Sequence, residues 1–511
     1  MWTKRPLFLL SVAAATTTLA GPNCPPLGPV YEKPNNFNTS SAIQAAVANL
    51  TATFTAWDQN NSSAIRANTT SYSIEVFSTS KEHPVIFEWH HTAASLEAAT
   101  NTSGVRKTDA NAVYRLGSLT KIFTVYTWLA QDGDSKWNEP ITKYVPELAA
   151  AAERAKSDPV ANVAWDEVTI GSLAGYQILA YALEAIKGKS FQTMMEESVL
   201  RPLGLNHTYY MNAPASEGII PGTPKDAEWT YQLGDESPAG NMYSSVGDIS
   251  ALGRSIMRSD ILSPVLTRRW LKPASMSSEL IAGVGYPWGV RRVTVPYANG
   301  KRVVDAFNKA GRIGYYASLL VLLPDYDVGF SVLIAGDNIP GNTNFNMADI
   351  LGAQLVPALE AAAREQAQAK FSGDYVDEAG RSWLQLTTQE DRPGLGVENW
   401  VSNMTDMQTI AVVMQGGYAP VSPSVRLYPT GLETVRADGS RKVAFKAVFE
   451  DLNLPARTGA MFSTDCGTWV SFTGVTYGTL PLDQFVFEVD ARGSVVSIEN
   501  LGLRSVMRRR R

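Results

Sequence analysis

Histidine and cysteine are scarce in this chain, four and two among 511 residues. His83, His90, His91 and His207 show no metal-ligand spacing, and the adjacent His90 and His91 would point to opposite faces of a strand. They read as structural. A phosphate-binding glycine loop is also missing, so no cofactor is expected. The lack of a Gly-x-Ser-x-Gly elbow argues against an α/β-hydrolase. Only 18% of residues are charged and the net charge is −5, which gives no electrostatic reason for nucleic acid as a partner. The terminal Arg508–Arg511 run reads as a solvated tail. Internal repeats are absent. The one apolar run of note, Pro6–Ala15, is too short to cross a bilayer.

That run follows Lys4 and Arg5 and precedes Thr18-Leu19-Ala20, the three-part layout of a secretory signal cleaved after Ala20. A signal anchor is the other reading. The chain is expected to be secreted, with no membrane partner after cleavage. Asn-x-Ser/Thr glycosylation acceptors at Asn38, Asn49, Asn60, Asn61, Asn68, Asn101, Asn206 and Asn403 fit export, and some will be accidental. The two cysteines, Cys24 and Cys466, permit one disulfide tying the N-terminal segment to the C-terminal part; two free thiols are the alternative.

The pattern along the chain divides it into residues 1–20 as signal, 21–370 as a first domain and 371–511 as a β-rich second domain with short strands and Gly/Pro turns. In the first domain, helices are expected over Ser41–Phe54, Gly175–Ile186, from about Val246, and over Asn346–Lys370. Strands are expected at Tyr72–Phe77 and Val85–Trp89, with Val113–Leu116 re-entering the sheet. Asn299-Gly300 and Pro324–Asp327 mark two further hairpins.

Tyr114–Ala130, YRLGSLTKIFTVYTWLA, carries the chemistry. Leu119, Ile122, Phe123, Tyr126, Leu129 and Ala130 recur at helical spacing, and Gly117 allows a sharp turn into that helix. Ser118 and Lys121 then share a face at the edge of the apolar stripe. A partly desolvated lysine loses its proton more readily and can take one from a serine hydroxyl. An N-cap serine beside an unrelated lysine is the bland reading. Ser78–Lys81 matches the same Ser-x-x-Lys pattern but falls between two strands, so it reads as a loop. Lys309-Ala310-Gly311 supplies a second cation on a strand, where glycine permits close approach of a substrate backbone. Lys309 could hold a carboxylate or repel a proton from Lys121; an edge-strand lysine is the alternative.

With these motifs the chain resembles the serine β-lactamase and penicillin-binding-protein superfamily, closest to fungal class C-like proteins. The resemblance extends over most of the chain. It rests on YRLGSLTKIFT, on EPITKYVPEL (Glu139–Leu148), on AGNMYSSVGDIS (Ala239–Ser250), and on KAGRIGYYASLLVLLPDYDVG from Lys309. NCPPLGPV near Cys24 and TDCGTW around Cys466 resemble members with an extra C-terminal β domain. The resemblance implies an α+β fold, an antiparallel sheet with helices on both faces, followed by a smaller all-β domain. It implies Ser118 as nucleophile, Lys121 as its proton partner, Lys309 as the third-motif cation, and the Ser118 and Arg312 amides as oxyanion hole beside Gly311. The implied substrate is a small-molecule ester or amide, some relatives serving secondary metabolism; the oligomeric state is left open.

One departure stands out. The family places Tyr-x-Asn before the helix that here begins near Tyr176, and Gly171, Ser172 and Leu173 occupy those positions. Tyr297-Ala298-Asn299 and Tyr210-Met211-Asn212 lie in the wrong places, and Tyr176 is expected to point elsewhere. The chain is therefore expected to be a poor catalyst, a binding protein that has lost turnover, or a sequence lacking a segment.

Overall fold

The computed structural model describes residues 24–59, 65–99, 103–173, 175–298, 300–389, 392–416, 420–453, 468 and 472–510. The expected signal, Cys466, and the acceptors Asn60, Asn61 and Asn101 lie outside them. The chain falls into two units. One comprises Lys33–Val295 with Val303–Glu365; the other takes the segment ending at Glu32, Pro296–Arg302 and Gln366–Arg511. This differs from an expected first domain of 21–370. The N-terminal segment joins the second unit because Glu32 pairs with Lys370, Arg302 donates to the Gly28 carbonyl at 2.8 Å, and Thr468 donates to the Cys24 carbonyl.

The first unit is built on an eight-stranded antiparallel sheet. Its strands are β1 (Thr70–Ser78), β2 (Val85–His91), β5 (Ser275–Met276), β6 (Ala282–Val284), β7 (Gly289–Tyr297), β8 (Gly300–Ile313), β9 (Tyr316–Leu323) and β10 (Val328–Gly336), in the order β2-β1-β10-β9-β8-β7-β6-β5. All nine residues of β1 are buried, so both faces of the sheet are covered there. Alternation along the strand shows by what. Tyr72 points at helix Ser41–Gln59, its ring 6.2 Å from Phe54 and its hydroxyl donating to Asp58. Glu75 and Phe77 point the other way, to helix Val246–Arg258, where Arg254 pairs with Glu75 at 3.1 Å and Gly253 leaves room for the Phe77 ring. This is the expected α+β arrangement with helices on both faces.

The remaining strands of this unit, β3 (Val113–Arg115) and β4 (Tyr243–Ser245), pair with each other. Val113–Leu116 therefore does not re-enter the main sheet as expected. Both edges of β1 are already filled by β2 and β10, and β3 lies over the sheet instead, its Tyr114 hydroxyl 3.0 Å from Ser73 on β1. Helix Tyr176–Lys187 ends at Gly188 in the left-handed conformation, and helix Thr343–Phe371 runs past the boundary between the units.

The second unit is a closed antiparallel barrel. Strands Gly373–Val376, Trp383–Thr387, Leu395–Ser402, Pro423–Val435, Arg441–Asp451, Gln484–Val489, Val495–Asn500 and Ser505–Arg509 each pair with the next, and the last pairs with the first. Closure leaves no edge strand among these eight. Phe371, Phe445, Phe485, Phe487 and Trp400 form a packed aromatic core.

Candidate active site

From Ala112 to Leu129 every residue is buried except Ser118 and Lys121. The chain enters this stretch on β3, turns through a short 3-10 helix, Gly117–Leu119, and continues as helix Thr120–Asp132. The turn requires φ +54° at Gly117, and a side chain there would meet the Arg312 backbone at 2.5 Å. Strand β8 approaches the same turn. A side chain at Gly311 would lie 1.9 Å from the Leu116 carbonyl oxygen, which Ser318 of β9 braces with a 2.6 Å hydrogen bond. Two glycines thus let the Ser118 turn and the β8 backbone touch, bringing the Arg312 peptide alongside that turn.

Lys121 Nζ stands 2.8 Å from Ser118 Oγ and donates to the Ala239 carbonyl at 2.7 Å. As a neutral amine it can keep the bond to Ala239 and accept the serine proton. Burial lowers its pKa, and the Glu236 carboxylate opposes that shift. Lys309, half-buried with Nζ 3.0 Å from the Ala310 carbonyl, is pushed down to about 8, first by burial and then by repulsion from Lys121. The two partly buried ammoniums oppose each other, so the loss of a proton from one favours the charge on the other.

Ser118, Lys121, Lys309, Gly311 and Arg312 are therefore brought together. Ser78 is not part of this cluster: at the end of β1 it turns its hydroxyl onto the His83 carbonyl. Among the described residues no group of three or more His, Cys, Asp or Glu is placed to hold a metal ion. His90 meets Ser73, and His91 bridges Asp58 and the Ala67 carbonyl.

Gly171, Ser172 and Leu173 supply no acid or base. Gly171 is packed so tightly on Trp137 that a side chain would sit 1.9 Å from the indole, Ser172 is exposed and closes a turn with Thr169, and Leu173 packs on the core. Tyr210 is buried against Phe191, and Asn299 lies outside the described residues. Tyr176, expected to point elsewhere, does the opposite: its ring centroid is 5.2 Å from Lys121 Nζ. Helical spacing predicts which residues share a face but not what stands across from it. The Ala239 carbonyl was equally invisible, because a backbone acceptor has no residue type. The residue before it is tied to the Lys121 helix, where Thr124 Oγ1 donates to the Pro238 carbonyl at 2.6 Å.

Residues 172–353 match the β-lactamase family, and residues 363–511 match the family described as Beta-lactamase-like-like, C-terminal domain. The first match leaves Ser118 and Lys121 outside it. A β-lactamase-like protein of Arthroderma benhamiae is 26% identical over 598 residues, covering 98% of each chain. That alignment is longer than this 511-residue chain, so the relative contains residues with no counterpart here. A probable hydrolase of Cochliobolus lunatus is 27% identical over 353 residues, 65% of this chain and 54% of the other. Among solved structures, the D-alanine carboxypeptidase AmpC of Burkholderia cenocepacia superimposes with a TM-score of 0.45 at 14% identity, covering 61% of this chain and 99% of that one. These matches support a domain of the β-lactamase family, followed by an additional all-β C-terminal domain.

Proposed function

We propose that this chain is a serine hydrolase or acyltransferase that opens a small-molecule ester or amide through an acyl-enzyme on Ser118. The observation that carries the proposal is the 2.8 Å Ser118–Lys121 contact, formed by the two residues of an otherwise buried stretch that reach solvent. Neutral Lys121 takes the hydroxyl proton as Ser118 Oγ bonds to the substrate carbonyl carbon. The resulting oxyanion is held by the Ser118 and Arg312 amides. Its collapse breaks the bond to the leaving alkoxide or amine, which takes the proton back from the Lys121 ammonium. Water, or another acceptor, then gives a proton to neutral Lys121 as it bonds to the acyl carbon, and Lys121 returns that proton to Ser118 Oγ as the acyl bond breaks. Lys309 offers a cation to a substrate carboxylate and disfavours a second charge on Lys121. The description of the Cochliobolus relative as a probable hydrolase supports water as acceptor.

A second reading, a weakly active or purely binding protein, is favoured by the side chains at Gly171–Leu173, none of which reaches Ser118 as an acid or base. Loss of one positioned acid or base costs roughly 100- to 10,000-fold in rate. The longer Arthroderma relative supports a missing segment as the cause, which sequencing of the transcript across Ala164–Gly175 tests. Hydrolysis of p-nitrophenyl esters and cephalosporins separates the two readings. Catalysis gives a stoichiometric burst followed by slow turnover, both absent from Ser118→Ala; a binder gives neither. Secretion belongs to the same proposal and is supported by the exposure of Asn38, Asn49, Asn68, Asn206 and Asn403. A role in secondary metabolism is part of it as well.

A further inference from the structure

Lys121 lies among groups of both signs. Ser118 and the Ala239 carbonyl bond its nitrogen, Glu236 favours its charged form, and Lys309 of β8 opposes it. The fifth neighbour is aromatic. Tyr176, the first residue of helix Tyr176–Lys187, sets its ring centroid 5.2 Å from the lysine nitrogen, within the distance at which an ammonium is attracted by a ring face. Its hydroxyl makes no hydrogen bond among the described residues, and burial pushes it up to about 12. At neutral pH it stays protonated and supplies no base. What this tyrosine offers Lys121 is the ring.

We infer that Tyr176 is a positioning residue for the Ser118–Lys121 pair, its π face stabilising the ammonium that Lys121 becomes when it holds the serine proton. The inference rests on the acyl-enzyme reading above and adds to it where the charge created in the proton transfer is accommodated. Attraction to a ring is worth most where water is excluded, and Lys121 is partly buried. The ring favours the charged lysine, so its removal must lower the Lys121 pKa. Opening the site to water would raise it instead. The sign therefore separates a lost ring contact from a merely loosened pocket.

Two measurements on the full chain test this. Competitive acetylation of lysines across pH, read peptide by peptide, gives the Lys121 pKa without any reaction at Ser118. Fluorophosphonate modification of Ser118 across pH gives the plateau rate of acylation. In Tyr176→Phe both profiles overlay those of the unaltered chain. In Tyr176→Leu the Lys121 pKa falls by roughly 0.4 to 1.5 units, and the plateau rate falls roughly 2- to 30-fold. Tyr176→Met reads the same comparison should the leucine variant not unfold cooperatively. An unchanged or raised Lys121 pKa without the ring overturns the inference. So does a phenylalanine variant as impaired as the leucine one, which would place the effect in the hydroxyl. Failure of Ser118 to react in every variant overturns the acyl-enzyme reading, and the Lys121 titration then still decides whether the ring holds the ammonium.

Discussion

Burying a second ammonium beside Lys121 costs the folded chain stability that an uncharged side chain of similar length would not. Lys309 is held near 8 in the fold, against 10.5 for the free side chain, by burial and by Lys121. Below about pH 8 both folded and unfolded chains carry the proton, and the full penalty is present. Between there and the unfolded value only the unfolded chain is charged, so stability climbs with pH until the penalty is gone. Lys309→Met is expected to stabilise the protein by about 1–3 kcal/mol at pH 7, with the advantage shrinking above pH 8, while acylation of Ser118 slows. Thermal unfolding at several pH values beside a labelling rate checks this; a destabilised variant would contradict it. That Ser118 and Lys121 meet was legible in the sequence, because residues three apart share a helical face. The Tyr176 ring and the Ala239 carbonyl were not, since both act through where the fold puts them.

Strand β8 and the Ser118 turn are held together by the absence of two side chains. A methyl group at position 311 would overlap the Leu116 carbonyl, which is backbone and already hydrogen-bonded by Ser318, so neither partner can step aside cheaply. Gly311→Ala is expected to destabilise by about 1–3 kcal/mol and to slow Ser118 acylation by roughly 100-fold, a loss larger than its stability cost explains. Normal acylation in that variant would show that the turn and the strand are not coupled. Periodicity and turn residues located the five longest described helices of this unit and three of its hairpins. Val113–Leu116 misled because a short apolar run looks the same whether it joins a sheet or lies across one. The partner that decides it, Tyr243–Ser245, is far along the chain.

At the scale of the whole chain, the shift to short strands beyond Phe371 signalled a separate β domain, but its closure into a barrel depends on pairing between Gly373–Val376 and Ser505–Arg509, which no local pattern encodes. The N-terminal segment belongs to that unit, with the Cys24 carbonyl accepting from Thr468. The account predicts a Cys24–Cys466 disulfide, worth about 2–4 kcal/mol to the stability of this unit. Peptide mapping without reduction should recover the two cysteines linked, and finding both free to alkylate would contradict it. The same mapping of intact protein, after treatment with a fluorophosphonate, tests the central claim most directly. The account predicts one adduct, on the peptide containing Ser118, kept in Ser78→Ala and lost in Ser118→Ala. An adduct on another residue, or none in the unaltered chain, would contradict it.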